Sequence, residues 1–221
     1  MNRIDRAFQK GHVKIRLIVG GDPSLEESRL RILRALKQDA GMAALVVPFS
    51  DPAGESLESL QAHQRALASG ACLNLLIRMA GRLRQESDKP LLLVSYLNPL
   101  FQYGYENFFE DGRQAGIDSL LIRDLPMEEE SQIRRMAEKS GIHLIRTVAP
   151  ASGSRIPALL ADARGFIHLQ LPPLAEEAEA LLDRVRSLTP LPLALDPAAS
   201  APLPHPLMEK ADGLFVTDFS G

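Results

Sequence analysis

Several features are scarce in this 221-residue sequence, and each absence excludes a class of protein. It contains a single cysteine, Cys72, which cannot form an internal disulfide and therefore fits a reducing cytoplasm. The net charge of -3 offers no basic surface for nucleic acid. No apolar run approaches the ~20 residues that a membrane span requires, and the N-terminus lacks the apolar core of a signal peptide. We therefore expect a cytoplasmic protein with no nucleic-acid or membrane partner, in which Cys72 is a small buried side chain of an apolar helical run.

Short apolar runs alternate with helical patterns along the whole chain, and hydrophobic residues make up 45% of it. Because the runs are apolar on both faces, they are typical of a parallel sheet covered by helices. Eight strands are predicted, at 13–19, 42–47, 91–95, 117–122, 142–148, 165–171, 191–195 and 213–217. All but the last are followed by a helical segment, which predicts a single (β/α)8 TIM barrel over residues 1–221, with the final helix missing. An open doubly wound sheet is the alternative, although Gly20-Gly21-Asp22-Pro23 is a turn and not a dinucleotide-binding fingerprint.

Helices are predicted between these strands from apolar residues at helical spacing. Ser24, with Glu27 three residues later, marks the start of one of them as a capping box. Two connections, 96–104 and 124–127, are predicted as loops. The predicted helices span 2–10, 25–39, 56–69, 71–87, 105–115, 128–139, 153–162, 174–188 and 204–210.

The segment from Val46 to Glu55 is the most informative stretch, since an apolar strand ends there in a run of Pro, Ser, Asp and Gly. Loops at the carboxyl ends of barrel strands carry the chemistry of this fold. Four loop motifs then occur in order. They are Gly21-Asp22-Pro23, Pro48-Phe49-Ser50-Asp51-Pro52, Tyr96-Leu97-Asn98-Pro99-Leu100-Phe101-Gln102-Tyr103-Gly104, and Gly116 to Ile122 with Asp124-Leu125-Pro126.

Together these motifs resemble the tryptophan synthase alpha subunit family. The resemblance is clear over residues 1–150, and beyond residue 150 only the alternation of strands and loops matches. The resemblance implies a (β/α)8 barrel without a cofactor of its own. It also implies retro-aldol cleavage of indole-3-glycerol phosphate and a complex with a beta subunit that receives the indole. This chemistry requires a carboxylate that moves protons, a second acid near the indole nitrogen, an apolar slot and backbone donors for phosphate.

The sequence departs from the family at the catalytic carboxylates. The family's main catalytic Glu lies four residues before the Pro of PFSDP, and this chain has Ala44 there. Alanine cannot exchange a proton, and loss of a general acid or base costs about 10²–10⁴ in rate. The family's second carboxylate, an Asp, corresponds to Glu55. The alternative role of Glu55 is to favour the N-terminus of the following helix.

The phosphate-binding loops of the family are not retained either. After the seventh strand the chain has Asp196 and a proline, with no glycine, and after the eighth it has Thr217-Asp218. Bare backbone N–H groups are thereby lost and negative charge is gained, which opposes binding of a phosphate dianion. After the sixth strand, Leu171 to Leu174 are too few residues to close over a substrate.

The positions that line the substrate slot in the family are only partly retained in this chain. Tyr96 and Leu121 match family residues that line the indole slot, Arg123 replaces a small residue, and His168 aligns with an aromatic one. His168 is also interpretable as a packed core histidine, and it could form a new polar site with Arg123, Asp196 or Asp218. No histidine spacing predicts a metal site. Several residues are retained in the loops that face the beta subunit in the family. The alternative is that they only shape turns. They are Pro48, Asp51, Pro52, Asn98, Phe101, Asp124 and Pro126.

These observations leave three hypotheses, and whether the chain is an enzyme stays open. The first is a pseudoenzyme-like alpha barrel with degraded or absent lyase activity that can still bind a beta subunit. The second is an active indole-3-glycerol-phosphate lyase that uses Glu55. The third is a barrel recruited to bind another small ligand at its mouth.

Overall fold

A computed structural model describes residues 2–52, 55–197 and 203–217. Its strands form one parallel sheet in the order β5-β4-β3-β2-β1-β9-β8-β7-β6. The strands are β1 Val13–Val19, β2 Met42–Val46, β3 Leu91–Ser95, β4 Ser119–Ile122, β5 His143–Leu144, β6 Arg146–Val148, β7 Ile167–Gln170, β8 Leu193–Asp196 and β9 Gly213–Thr217.

The sheet closes on itself through the chain segment 143–148. Strand β5 pairs with β4, while β6 pairs with β7, and only Ile145 separates β5 from β6. The Ile145 amide still donates to Leu120 O at 2.8 Å, after which the chain turns away from β4. The predicted strand 142–148 is therefore one stave of the barrel that changes partner halfway along. This confirms the eight-stave barrel and excludes the open doubly wound sheet.

Burial explains why the central strands β2, β3 and β4 are apolar on both faces. Every residue of β2, β3 and β4 is buried, because side chains alternate between the barrel interior and the surrounding helices. Two apolar clusters result. The larger packs around β1 to β4, and the smaller, which includes Val148, Leu169 and Leu195, packs around β6 to β8.

Helices follow the strands on the outside of the barrel, largely where their apolar spacing predicts them. Ser24 caps α2, since its hydroxyl accepts a 3.2 Å hydrogen bond from the Glu27 amide. The helices are α1 Arg3–Gln9, α2 Leu25–Gln38, α3 Leu57–Ala68, α4 Leu73–Glu86, α5 Leu97–Tyr103, α6 Tyr105–Gln114, α7 Ser131–Ser140, α8 Ile156–Ala161, α9 Ala175–Arg186 and α10 His205–Lys210. Short 3-10 turns at Met127–Glu129 and Pro150–Arg155 precede α7 and α8.

Two predictions about local structure were wrong. The segment 96–104, expected as a loop, contains helix α5; Pro99 lies in its first turn, where a missing N–H costs no helical hydrogen bond. Cys72, expected to be buried, is exposed. It immediately precedes α4, whose buried face begins at Leu73, so the thiol lies outside the apolar stripe.

The loop after β1 is held against α3 by an ion pair in which the carboxylate is buried and the Arg65 side chain is partly exposed. Asp22, only 2% exposed, accepts hydrogen bonds of 2.6 and 2.9 Å from Arg65. The preceding Gly21 has φ of +96°, and a Cβ atom there would lie 2.2 Å from the Cβ of Ala71. The Gly-Asp-Pro motif thus has a structural reason in this chain, which is to fasten the first loop to the third helix.

Among the residues that the structure describes, no helix is both long and apolar enough to cross a membrane. The expected absence of a helix after the last strand concerns residues 218–221, which lie outside the described part of the chain.

Candidate functional site

The carboxyl ends of the strands bring Glu55, Tyr96 and Arg123 together at one end of the barrel. Arg123 Nη1 lies 3.1 Å from Glu55 Oε1, and the Tyr96 hydroxyl donates to the same oxygen at 3.2 Å. The other oxygen, Oε2, accepts a hydrogen bond from the Ser59 hydroxyl. The side chains of Glu55 and Arg123 are only 7% and 16% exposed. Arg123 therefore points into the mouth of the barrel, where it is the counter-ion of Glu55.

Ala44 lies in the middle of β2, with no exposed surface. Its register partners are Leu17 on β1 and Leu92 on β3, so the position is surrounded by apolar strands. The place where the family resemblance expects a proton-transferring glutamate is thus a buried methyl group.

Tyr96 is fixed by an aromatic contact as well as by Glu55. Its ring stacks on Phe49 with the centroids 4.9 Å apart and the planes inclined by 25°. Burial, together with the negative charge of Glu55, raises the pKa of the Tyr96 hydroxyl. Tyr96 therefore remains protonated and donates its hydrogen to the carboxylate.

His63, which sequence reasoning did not single out, lies next to this cluster. Its Nδ1 accepts a 3.0 Å hydrogen bond from the Phe49 amide, which ties α3 to the loop after β2. Burial lowers the pKa of His63, against the opposing effect of the Glu55 charge. The ring is accordingly neutral, with the proton on Nε2. The only signal in the sequence is its position on the same helical face as Ala62 and Ala66.

A second polar group lies across the mouth, on β6, β7 and β8. His168 Nε2 is 2.9 Å from Asp196 Oδ2, and His168 Nδ1 is 3.0 Å from the Thr147 hydroxyl. Burial opposes ionisation of Asp196, but the hydrogen bond from His168 and the electrostatic effects of His168 and Arg123 outweigh it and lower its pKa. Asp196 is therefore an ionised carboxylate at the end of β8.

The sequence predicted part of this second group. His168 and Asp196 do meet, whereas Asp218 lies outside the described residues. Thr147 was missed, and the only hint of it was its inward register on a strand whose neighbours Arg146 and Val148 are more fully buried. Leu121 is 1% exposed on β4 and contributes an apolar wall.

The residues predicted to face a partner differ in exposure. Phe101 on α5 is 64% exposed. Asp124 is exposed, and its Oδ1 accepts a 2.7 Å hydrogen bond from the Leu97 amide at the start of α5. Pro48 is buried, so it contributes to the conformation of the loop and not to its exposed surface. Of the remaining members, Asp51, Asn98 and Pro126 are exposed and Pro52 is half-buried.

Groups suited to phosphate or metal are sparse in the described part of the chain. Only four residues, 171–174, connect β7 to α9. No cluster of three or more His, Cys, Asp or Glu side chains arranged for a metal ion is found among the described residues. The loops after β8 and β9 include residues 198–202 and 218–221, which are not described.

The fold and the polar residues at its mouth define a (β/α)8 barrel of the kind that places its functional groups at the carboxyl ends of the strands. A family profile described as "Tryptophan synthase alpha chain" matches residues 7–195. This match covers most of the chain, which therefore belongs to the tryptophan synthase alpha chain family and confirms the resemblance drawn from the loop motifs.

Individual relatives agree with the profile. The chain is 33% identical to the tryptophan synthase alpha chain of Caldanaerobacter subterraneus subsp. tengcongensis, covering 98% of this chain and 88% of the relative. It is also 33% identical to that of Citrifermentans bemidjiense, covering 91% and 79%. The solved alpha subunit from Legionella pneumophila str. Paris superposes with a TM-score of 0.87 at 29% identity, covering 98% and 86%. A chain of the tryptophan synthase complex from Pyrococcus furiosus gives 0.84 at 26% identity, covering 94% and 87%.

Proposed function

We propose that this chain is a tryptophan synthase alpha-type barrel whose indole-3-glycerol-phosphate lyase activity is absent or greatly weakened, and which acts by binding a beta-type subunit. The observation that carries the proposal is the buried, apolar Ala44 at the position of the family's main catalytic glutamate. Without that carboxylate, proton transfer loses about 10²–10⁴ in rate.

The environment of Glu55 supports the same conclusion over the alternative of a lyase that uses Glu55. A general base must present a free lone pair to its substrate. Of the about four lone-pair sites of a carboxylate, three on Glu55 are engaged by side chains of the protein, namely Arg123 and Tyr96 on Oε1 and Ser59 on Oε2, so little of it is left for a substrate. In addition, the Arg123 guanidinium occupies space in the slot where the family has a small residue.

The charge at the phosphate end also disfavours the family's substrate. Asp196 lies at the carboxyl end of β8 as an ionised group, paired with His168. A phosphate dianion approaching this end would meet a carboxylate where the family offers bare backbone amides.

The partner half of the proposal rests on the surface formed by the retained loops. Phe101 exposes an aromatic side chain, and large exposed aromatic residues are common anchors of protein interfaces. Solved relatives include a tryptophan synthase complex. We place this assembly in the cytoplasm, in keeping with the single cysteine.

The activity is tested by measuring indole released from indole-3-glycerol phosphate, with the chain alone and with the beta subunit of the same organism. We expect turnover at background level in both cases. Glu55→Gln is the diagnostic variant, and Glu58→Gln, three residues further on and exposed, is its matched control. Measurable turnover that disappears in Glu55→Gln but persists in Glu58→Gln would overturn the proposal in favour of an active lyase.

The partner is tested separately, by size-exclusion chromatography and calorimetry of the chain mixed with the same beta subunit. A complex of defined stoichiometry is the expected result. Failure of the folded chain to bind the beta subunit at micromolar concentration would remove the role proposed for it.

A further inference from the structure

His63 holds the loop that follows β2 through one hydrogen bond from the backbone. The side chain lies on α3, is only 1% exposed, and accepts through Nδ1 from the Phe49 amide at 3.0 Å. An imidazole can accept at Nδ1 only while this nitrogen carries no proton. The contact, which we call the His63 latch, is therefore closed only while the histidine is neutral.

The other ring nitrogen does not help to hold His63 in place. Nε2 is buried and has no hydrogen-bond partner within the described parts of the chain. The bond to the Phe49 amide is thus the polar contact on which the position of the ring depends.

Three charged side chains face the ring from three parts of the described chain. Glu55, before α3, and Asp22, in the loop after β1, favour the protonated ring, whereas Arg123, after β4, opposes it. Both carboxylates are themselves paired, Glu55 with Arg123 and Asp22 with Arg65. Burial is the largest effect and lowers the pKa of His63. The closed latch is therefore a state that binds a proton weakly.

The loop held by the latch is part of the surface proposed to meet a beta-type subunit. Phe49 stacks on Tyr96, which immediately precedes α5, and Phe101 is exposed on that helix. The same loop exposes Asp51. A movement at the Phe49 amide therefore reaches both the loop after β2 and the helix beside it.

The geometry points to a pH-sensitive latch, in which protonation of His63 at Nδ1 releases the loop after β2 and weakens the surface for the partner subunit. A protonated ring presents an N–H to the N–H of Phe49, and two donors cannot form a hydrogen bond. Release of the loop gives the ring access to water, where its charged form is favoured. Acid therefore favours the released loop, below about pH 6.5. The latch is a property of the chain alone, whereas its effect on a partner rests on the proposed function.

Hydrogen exchange of the Phe49 amide in the full chain, followed by NMR from pH 7.5 to 5.0, tests the latch without a partner. After correction for the intrinsic effect of pH, Phe49 should exchange about two- to tenfold faster at pH 5.0, as expected for one lost hydrogen bond. The internal control is the Val47 amide, which donates to Val94 O at 2.8 Å and should keep its protection. Unchanged protection of Phe49, or an equal loss at Val47, would overturn the inference.

Two variants at His63 separate titration from packing. His63→Asn places a side-chain oxygen close to the position of Nδ1 but cannot take up a proton, so Phe49 should stay protected at every pH. His63→Leu removes the acceptor, and exchange should be fast at every pH. The exposed His205→Asn is the control and should behave as the parent does. Loss of protection on acidification in His63→Asn, or parent-like protection in His63→Leu at pH 7.5, would contradict the latch.

Calorimetric titration with the beta subunit of the same organism measures the effect on the partner. Between pH 7.5 and 5.5 the affinity of the parent should fall at least twofold more than that of His63→Asn, because a partner that needs the closed latch competes with the proton. Equal changes in the two proteins would contradict the link between the latch and the partner surface. Absence of binding at every pH would overturn the proposed partner role, while the exchange experiment would still decide whether the latch exists.

Discussion

Glu55 and Arg123 belong to loops 68 positions apart in the sequence, yet they form the ion pair at the mouth of the barrel. Both side chains are largely withdrawn from water, so each depends on the other for its charge to be tolerated there. The consequence is a largely buried polar cluster at the mouth of the barrel. Single substitutions in this cluster should therefore have effects that an exposed pair would not show.

Replacement of Arg123 by methionine should lower the free energy of unfolding by about 3–5 kcal/mol, because the Glu55 carboxylate is left buried without its counter-ion. The double variant Glu55→Gln/Arg123→Met should regain most of this loss. Urea denaturation measures both. The control is Arg113→Met, which breaks an ion pair with Glu110; the two side chains are 53% and 55% exposed, so stability should change little. Equal losses in the two single variants would contradict the importance of burial.

His63 should make the protein acid-sensitive. Its pKa is lowered in the folded chain by burial, below the ordinary value of 6.5, so on acidification the unfolded chain takes up this proton first. The free energy of unfolding should therefore fall as the pH drops below about 6.5. In His63→Gln the fall should be shallower, with the remainder due to His143, whose pKa burial also lowers. Urea midpoints from about pH 5.5 to 7.5 test this.

The control is the exposed residue His205, and His205→Gln should keep the pH dependence of stability of the parent. The same pH dependence in His63→Gln would argue against a buried neutral imidazole.

At the scale of elements, α5 is the feature that most changes the interpretation of the retained loops. The segment 97–103 is a helix, and its first amide is capped by Asp124 from the loop after β4. The motifs around Asn98 and Asp124 are thus two parts of one structure, in which the second loop anchors the first. Their joint retention has a structural reason in addition to any partner.

Asp124→Ala should lower the free energy of unfolding by about 1 kcal/mol, the usual cost of losing a side-chain acceptor at a helix start. It should also increase amide hydrogen exchange in the first turn of α5, at Leu97 and Asn98. Hydrogen-exchange mass spectrometry measures the local effect. Glu128→Ala, an exposed acid in the following turn, is the control. If exchange in α5 is the same in both variants, the cap does not hold the helix.

At the scale of the whole molecule, barrel closure decides which loops share a face. Strand β1 pairs with both β2 and β9, which places the first and last staves side by side. Loops after β2, β3 and β4 then lie in sequence around one side of the mouth, and Phe101 projects from the middle one. The proposed beta-subunit surface is this side of the barrel.

Phe101→Glu should therefore weaken binding to the beta subunit at least tenfold, because it places a charge where an aromatic side chain would be desolvated. Leu188→Glu changes an exposed apolar residue that follows α9, and it should bind as the parent does. Calorimetric titration with the same beta subunit distinguishes them. Equal weakening, or none in either variant, would place the interface elsewhere.

Much of this protein is determined by local patterns in the sequence. Alternating apolar runs and helical spacing predicted the barrel, because each strand and each helix must bury a face of known period. The ordered loop motifs predicted the family, and Ala44, four residues before Pro48, stands where the resemblance implies a catalytic glutamate. Helix α5 escaped prediction because its short run, with a proline inside, has no long apolar period.

Only the tertiary structure decided what the polar residues do. Arg123 points into the barrel and meets Glu55 there. Both features depend on side-chain direction and on barrel closure. The contact of His168 with Asp196, the position of Thr147 on β6 and the exposure of Cys72 depend on the tertiary structure in the same way. These contacts join strands and loops far apart in the chain, and no local spacing encodes which side chains face each other across a closed sheet. The sequence by itself therefore determined the scaffold and the alanine at position 44, whereas closure of the barrel determined the ion pair at its mouth.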